Sequence, residues 1–359
     1  MLAVRLCTEI LRQQPTFEVY LVSLYDPTPS VVYDEALASG VKIVTLGKKK
    51  GFDPKTFLRM YKTLRSIKPD VIHTHLAGLR YAIPATAFLK RTVKVHTVHN
   101  MAAHETSGLM LHLHKFAFRH LGWQPVALSN EVKKSIRNVY GLDSPIVMNG
   151  IRVNDMLKKE SKIQLKRTHN ISADIPAIIS IGRLCEQKNQ TLLLDAFSIL
   201  FLELECTLLI VGEDAMGGKY QIALQNKIQS LPEVIRKNVC LLGPRKDVPE
   251  LLMASDVFVL SSDWEGVPLT LLEAMGFGIP VVCTSVGGIP DVVDHGNEGL
   301  LVPKGDKNAL AHAILDILQN DERASCLAKK ARYKFEQFYS IEGTAKGYFE
   351  MYQEYLTEG

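Results

Sequence analysis

Two glutamates and two cations carry the most chemistry in this sequence. Glu265 lies in the loop Ser261–Pro268, between an apolar run at Val257–Leu260 and a helical stretch at Leu269–Phe277, and Glu273 lies inside that stretch. A helix that starts at the mouth of a strand offers free N–H groups and a positive dipole end, which suits a phosphate. A carboxylate there cannot coat a phosphate, but it accepts hydrogen bonds from hydroxyls, and a ribose diol takes both of its oxygens. The two carboxylates are therefore either a sugar-hydroxyl acceptor and a ribose acceptor, or a helix-start carboxylate and a solvated face residue. Arg183 and Lys188 share the loop 182–189 and either converge on one anion or stay solvated. Positive charge beside a diphosphate leaving group stabilises the charge that grows as its bond breaks. His99 ends an apolar run, where a histidine either packs or does chemistry.

The elements that must hold these residues alternate strand and helix. Ile178–Ile181 reads as a strand, Gln190–Leu200 as a helix, and Leu208–Gly212, Val239–Leu242, Val257–Leu260 and Pro280–Cys283 as short buried strands. The glycine pair Gly287-Gly288 and Pro290 punctuate the loop after the last of these. Such alternation predicts open α/β sheets, whose ligands bind beyond the carboxyl ends of the strands. In the first part Glu18–Leu24, Val41–Leu46, Val71–His75, Val93–Asn100 and Pro125–Ser129 read as strands, and Met1–Gln14, Asp53–Lys68, Leu109–Leu121 and Asn130–Tyr140 as helices. Of the two histidines ending the run VKVHTVHN, His96 alternates with Val95 and Thr97 as a packed strand residue. On Leu109–Leu121 one face carries His112, Lys115 and Arg119, the other Leu109, Leu113, Phe116 and Ala117; it is either a buried helix with a solvated face or a basic helix on an anionic membrane. The tail Phe335–Leu356 reads as two helices.

The order Glu265-Gly266-Val267-Pro268, Leu272-Glu273-Ala274-Met275, Gly278-x-Pro280-Val281-Val282 and Gly287-Gly288-Ile289-Pro290 resembles the donor-site signature of glycosyltransferase family 4. Pro69-Asp70-Val71-Ile72-His73-Thr74-His75 and the Arg183 and Lys188 pair extend the resemblance over most of the chain. It implies a GT-B fold, α/β, with two Rossmann-like domains facing a cleft. The expected boundaries are 1–152 for an acceptor-side domain, 153–336 for a nucleotide-sugar domain, and 337–359 for a last helix crossing back to the first domain. The resemblance also implies retaining transfer of a sugar from a nucleotide-sugar, expected to be a UDP-sugar, to a glycan or lipid-linked acceptor. In that reading Glu265 and His99 are catalytic, with His99 facing the donor sugar. Arg183, Lys188 and the amides of Leu269 and Thr270 meet the diphosphate, Glu273 holds the ribose, and Arg245 lies near the base. There is no D-x-D motif, so no metal is expected, Arg183 and Lys188 supplying the neutralisation; no cofactor is expected beyond the substrate. Two other classes stay open, a non-catalytic nucleotide-sugar binder and a nucleotide-sugar epimerase.

Composition bounds the rest. The 359 residues suffice for two domains, and 47% hydrophobic residues suffice for real cores. The six cysteines form no C-x-x-C pair and point to a reducing cytoplasm. The most apolar long stretch, Leu192–Gly212, is interrupted by Asp195, Glu203 and Glu205, and the N-terminus lacks a signal-peptide pattern. Residues 1–152 hold 21 Lys and Arg against 10 Asp and Glu, whereas residues 153–359 hold 21 against 28. That asymmetry reads either as a solvated basic face or as the mark of an anionic partner of the first half, expected in that case to be the inner face of a membrane rather than nucleic acid. The run Lys48-Lys49-Lys50-Gly51 is either a phosphate contact or a solvated loop. The family's first strand and Gly-rich loop are missing before the helix at Met1. Either a strand and tight turn of roughly 12–20 residues precede it naturally, or this domain closes its sheet differently.

Overall fold

The computed structural model describes residues 2–26, 31–49, 51, 53–86, 89, 91–106, 108–153, 161–214 and 217–358. Met1, Lys50 and residues 158–160 of the polar segment Lys158–Asn170 lie outside them. The chain divides into two compact units: unit 1 comprises residues 1–150 with 338–359, and unit 2 comprises residues 151–337.

Unit 1 carries β1 (Tyr20–Ser23), β2 (Lys42–Thr45), β3 (Val71–His75), β4 (Val93–Val98) and β5 (Trp123–Ala127). They form two parallel sheets, β1-β2 and β3-β4-β5, and among the described residues no ladder joins β1 to β3. Both sheets contribute to one apolar cluster, through Leu46 and Val22 on one side and Ile72, Val98 and Trp123 on the other. The opposite face of β3-β4-β5 is covered by the helices Leu2–Gln13 and Ile341–Glu358, which bring Leu6, Tyr348, Met351 and Tyr352 against Val95 and Val126. The helix Asn130–Tyr140 has the expected bounds because both ends are chemically marked. Ser129 accepts from the Val132 N–H, and Gly141 ends the helix at φ +72°.

One expectation for unit 1 fails in part. The helix Gly108–His120 buries His114, Ala117 and Phe118, while Leu109 and Phe116 are 78% and 52% exposed. The reason is aromatic packing: the Phe118 ring meets Tyr140, His114 and His96, which outweighs the simple hydrophobic count. The tail holds two helical segments, as expected: a short π-helical one at Phe335–Tyr339, into which the helix Asp321–Lys334 runs directly, and the long helix Ile341–Glu358. Lys48 is engaged, its ammonium donating to the Lys49 and Gly51 carbonyls and lying over the Tyr25 ring.

Unit 2 carries β6 (Ala177–Ile181), β7 (Thr207–Val211), β8 (Val239–Gly243), β9 (Val257–Leu260), β10 (Val281–Thr284) and β11 (Leu300–Val302). The sheet is parallel throughout, in the order β11-β10-β9-β6-β7-β8. Every residue of β6, β7, β9 and β10 is buried, as expected for strands covered on both faces. The helices Gln190–Leu200 and Lys307–Gln319 cover one face. Fully buried side chains such as Phe197, Ile178 and Val259 contribute roughly 1.5–3 kcal/mol each. The chain order reverses between β6 and β9, so the loops leaving those two strands open at the switch point of a Rossmann sheet.

Candidate active site

Those two loops, with the helix that follows the second, carry most of the expected site residues. The loop after β6 holds Arg183, Gln187 and Lys188; the loop after β9 holds Ser262, Asp263 and Glu265, and runs into the helix Leu269–Phe277. Backbone and side chains bind one to the other. The Asp263 N–H donates to the Gln187 carbonyl at 2.8 Å, Ser261 Oγ donates to the Lys188 and Asn189 carbonyls, and Asn189 Nδ2 donates to Asp263 at 3.2 Å. Glu265 sits on this frame. Its Oε1 takes the Lys188 ammonium at 2.5 Å and the Ser262 hydroxyl at 2.7 Å, while Gln187 Nε2 reaches Oε2 at 3.4 Å. The Glu265 and Lys188 side chains are 6% and 13% exposed, so this ion pair lies largely out of water.

The glycine pair follows from the same geometry. Gly287 has φ +52°, and a Cβ there would lie 1.8 Å from the Glu265 carbonyl oxygen; a Cβ on Gly288 would lie 2.6 Å from the Gly266 carbonyl oxygen. The Gly288 N–H donates to the Glu265 carbonyl at 3.2 Å. The loop after β10 thus presses its backbone onto the backbone that carries Glu265, which only residues without a side chain permit.

The helix Leu269–Phe277 starts after Pro268 without a side-chain cap. Its first bonds run from the Leu271 and Leu272 N–H groups to the Pro268 carbonyl, so the Leu269 and Thr270 amides point outward from the helix end. The Thr270 hydroxyl donates back to the Ile181 carbonyl at 3.3 Å. Glu273 is half-buried and has no hydrogen bond or ion pair to a described residue; burial holds its acid above the ordinary carboxylate range. Arg183 is exposed, with one weak bond to Gln187 at 3.3 Å. Arg245 stands on the loop after β8, where Asp247 binds its Nε at 2.8 Å and raises its already high pKa. Trp264, Val267 and Leu269 leave an exposed apolar rim around the Glu265 loop.

The structure brings Lys188 to Glu265, and it adds Ser262 and Gln187, which sequence reasoning missed. The spacing Ser262-x-x-Glu265 just before an apolar run is the signal of a capping box. It had the right partners, but here the hydroxyl serves the carboxylate.

His99 belongs to unit 1. It follows β4, is half-buried, and its Nε2 lies 2.9 Å from Nδ1 of His75. Burial first, then the neighbouring His96, lowers its pKa, with Glu105 opposing. His96 itself is fully buried, bonded to the Thr74 hydroxyl at 2.9 Å and to Glu105 at 3.2 Å, as a packed strand residue should be.

Two family models match this chain. One, "Glycosyl transferases group 1", matches residues 161–334, and the other, "Glycosyltransferase Family 4", matches residues 3–154. The chain belongs to the family 4 glycosyltransferases. Among curated relatives of this transferase, the UDP-Gal:alpha-D-GlcNAc-diphosphoundecaprenol alpha-1,3-galactosyltransferase of Escherichia coli is 28% identical over 305 residues, 80% of this chain and 76% of that protein. The N-acetyl-alpha-D-glucosaminyl L-malate synthase of Bacillus anthracis is 34% identical over 183 residues, 51% of this chain and 46% of that protein. The crystal structure of Anabaena Alr3699/HepE in complex with UDP superposes with a TM-score of 0.74 at 20% identity, covering 98% of this chain and 96% of that one. The fold is GT-B, and the chain is an enzyme that transfers a glycosyl group. No described helix is long and apolar enough to cross a membrane.

Proposed function

We propose that this transferase moves a hexosyl group from a UDP-sugar to a glycan or lipid-linked acceptor, with retention at the anomeric carbon and without a metal ion. The observation that carries the reading is the Glu265 carboxylate, held through Oε1 by Lys188 and Ser262 beside an uncapped helix N-terminus. Breaking the sugar–phosphate bond builds positive charge at the anomeric carbon and negative charge on the diphosphate. The Leu269 and Thr270 amides, Arg183 and Lys188 take the negative side. Lys188 has three N–H donors and gives one to Glu265, so two remain for phosphate oxygens. Glu265 has its Oε2 nearly free, and that oxygen accepts the donor-sugar hydroxyls while its charge favours the oxocarbenium. Glu273, with no competing partner, accepts the ribose diol. His99 is neutral at pH 7, because its pKa is held below the ordinary histidine value, and it acts as a hydrogen-bonding group towards a reacting sugar hydroxyl. The departing phosphate accepts the proton of the attacking hydroxyl on the same face, which gives retention.

A UDP-utilising galactosyltransferase with a lipid-diphosphate acceptor among the relatives supports both the donor and the acceptor class. An acceptor of that kind places the reaction at the inner face of a membrane, with the enzyme cytoplasmic and peripheral. The test is product analysis from a panel of UDP-sugars with octyl glycoside acceptors. An α-linked product from an α-linked donor, formed equally in EDTA, is expected. A β-linked product overturns retention, and loss in EDTA restored by magnesium overturns metal independence. Glu273→Ala should weaken UDP binding roughly ten- to a hundredfold, the loss of charge-assisted hydrogen bonds.

A further inference from the structure

At the end of the three-stranded sheet of unit 1 lies a polar chain of which the proposed reaction uses only His99. Strand register explains its assembly. His73 pairs with Val95 and His75 with Thr97. Side chains alternate along a strand, so His73, His75, Thr97 and the following His99 fall on one side of the sheet. That side is the one covered by the helix Ile341–Glu358. There the Tyr352 hydroxyl meets His73 Nδ1 at 2.6 Å, His73 Nε2 meets the Thr97 hydroxyl at 2.6 Å, and Thr97 meets the Tyr348 hydroxyl at 2.7 Å. Thr97 and Tyr348 are fully buried and Tyr352 is 9% exposed. The His73 ring lies 4.3 Å from the His75 ring, and His75 Nδ1 lies 2.9 Å from His99 Nε2.

We infer that His75 is a positioning residue for His99, and that Tyr348 and Tyr352 of the last helix hold it in place by fixing the His73 ring against which it packs. The inference rests on the reading in which His99 takes part in transfer. His73 has both nitrogens occupied by hydroxyls, so its ring can neither flip nor tilt without breaking a buried bond. His75 packs on that fixed ring and lies on a strand, whereas His99 lies on the segment beyond β4. A group on a loop needs a rigid neighbour to hold a productive geometry. The bond between His75 Nδ1 and His99 Nε2 uses one hydrogen for two nitrogens. It therefore sets the His99 ring plane and leaves His99 Nδ1, which has no described partner, as the nitrogen offered to a ligand.

The choice of variants separates positioning from packing. In His75→Asn the side-chain amide stands where Nδ1 stood and keeps the bond. In His75→Phe the ring volume against His73 is kept and the bond is lost. With UDP-glucose, UDP-galactose and UDP-N-acetylglucosamine as donors and octyl glycosides as acceptors, His75→Phe should lower kcat roughly ten- to a hundredfold, the penalty of a small misplacement, with donor KM unchanged. His75→Asn should stay within roughly threefold of the wild type, because an amide keeps the orienting bond. Tyr352→Phe should fall between them. Should His75→Phe not fold, His75→Gln, whose amide is one bond too far, takes its place with the same expected loss. A second readout needs no turnover: in 15N-histidine spectra His99 should show one tautomer in the wild type and in His75→Asn, and a mixture in His75→Phe. Full activity of His75→Phe, or a single His99 tautomer in it, overturns the inference. Full activity of His99→Ala instead overturns the reading on which it rests, whereas loss in His99→Ala with none in His75→Phe overturns the positioning role alone.

Discussion

The two units solve the same problem, holding polar groups at the ends of parallel strands, in opposite ways. In unit 2 the sheet is a single six-stranded layer whose inner strands are wholly buried, and the charged groups sit outside it on two loops bonded together by their backbones. In unit 1 the sheet is split in two, β1 is only half-buried, and histidines, a threonine and tyrosines form part of the packed interior. Unit 2 gathers charge in space, with Glu265 and its Lys188 partner 77 positions apart but on adjacent loops. Unit 1 spends neutral hydrogen bonds across the chain, from His73 to Tyr352, 279 positions apart. The first arrangement suits a site that meets a charged leaving group. The second suits one that must orient a neutral group.

The largest effect expected from this contrast is at the Lys188–Glu265 pair. Glu265→Gln keeps the size of the side chain and a hydrogen bond to Lys188, but removes the charge that favours the oxocarbenium. Turnover should fall roughly a hundredfold, while UDP affinity changes little, because the loss is confined to the transition state. Glu265→Ala should in addition destabilise unit 2, since a largely buried ammonium is left without its partner. Equal turnover in Glu265→Gln and wild type would remove Glu265 from the chemistry and leave it a structural anchor for Lys188.

Next in size is Gly287→Ala. The residue has φ +52°, and its Cβ would meet the Glu265 carbonyl oxygen. Strain of that backbone costs on the order of 1–3 kcal/mol, and relieving the clash must move the Glu265 loop. A lower Tm together with lost turnover is expected. A variant with wild-type Tm and kinetics would mean that the two loops do not press together in solution.

How much of this was legible beforehand differs between the units for the same physical reason. The strands and helices of unit 2 lie within a residue or two of their expected ends wherever an apolar run was bounded by Gly, Pro or a capping residue, as at Leu269–Phe277 with Gly278 at φ +71°. The placing of Glu265 on a loop that runs into the helix Leu269–Phe277 was legible too, because the stretch from Glu265 to Pro290 is contiguous in the chain. The Lys188–Glu265 ion pair was not, since nothing in two separate loops reveals which side chains will meet. In unit 1, His99 was marked by its place after a strand, but His73 and His75 were only part of a motif. Their partners, Tyr348 and Tyr352, lie in a tail that read merely as aromatic helix. Hydrophobic counting also misjudged the helix Gly108–His120, where edge-on packing of Phe118 against Tyr140 and His114 outweighs burial of Leu109 and Phe116.

Mild acid should separate the units. Burial, and secondarily the neighbouring histidines, hold His75 down to about 3 and His114 down to about 4, and they lower His73 and His99 as well. Glu105 opposes the shift at His99 and His114, and Arg80 adds to it at His114. Unfolded, each of these rings takes a proton near pH 6.5. Below that pH the unfolded chain binds more protons than the folded one, so stability present above pH 6.5 is lost as pH falls towards 4. The slope is on the order of 1 kcal/mol per pH unit for each histidine involved. Each unit holds one tryptophan, buried Trp123 in unit 1 and exposed Trp264 in unit 2. In a Trp264→Phe variant the emission of Trp123 should report unfolding between pH 6 and 4. Emission unchanged down to pH 4 would mean that the histidine array is not a buried, neutral part of unit 1.

The smallest effect belongs to Arg245. The resemblance put it near the nucleotide base, yet the structure gives its guanidinium to Asp247, and Asp247 also meets His169 at 3.4 Å. Exposed pairs of this kind contribute about 0–1 kcal/mol, and an arginine already bonded to a carboxylate offers a ligand little unshared charge. A uracil edge needs N–H donors for its carbonyls, and a guanidinium whose Nε is already held by Asp247 has fewer of them to offer. Arg245→Ala should therefore change UDP affinity by no more than about threefold, less than 1 kcal/mol, and leave turnover alone. Loss of tenfold or more in UDP affinity would show that Arg245 leaves Asp247 when the nucleotide binds. Asp247→Asn would then tighten UDP binding by freeing the guanidinium, and that double comparison fixes whether the loop after β8 reads the base by charge or by shape.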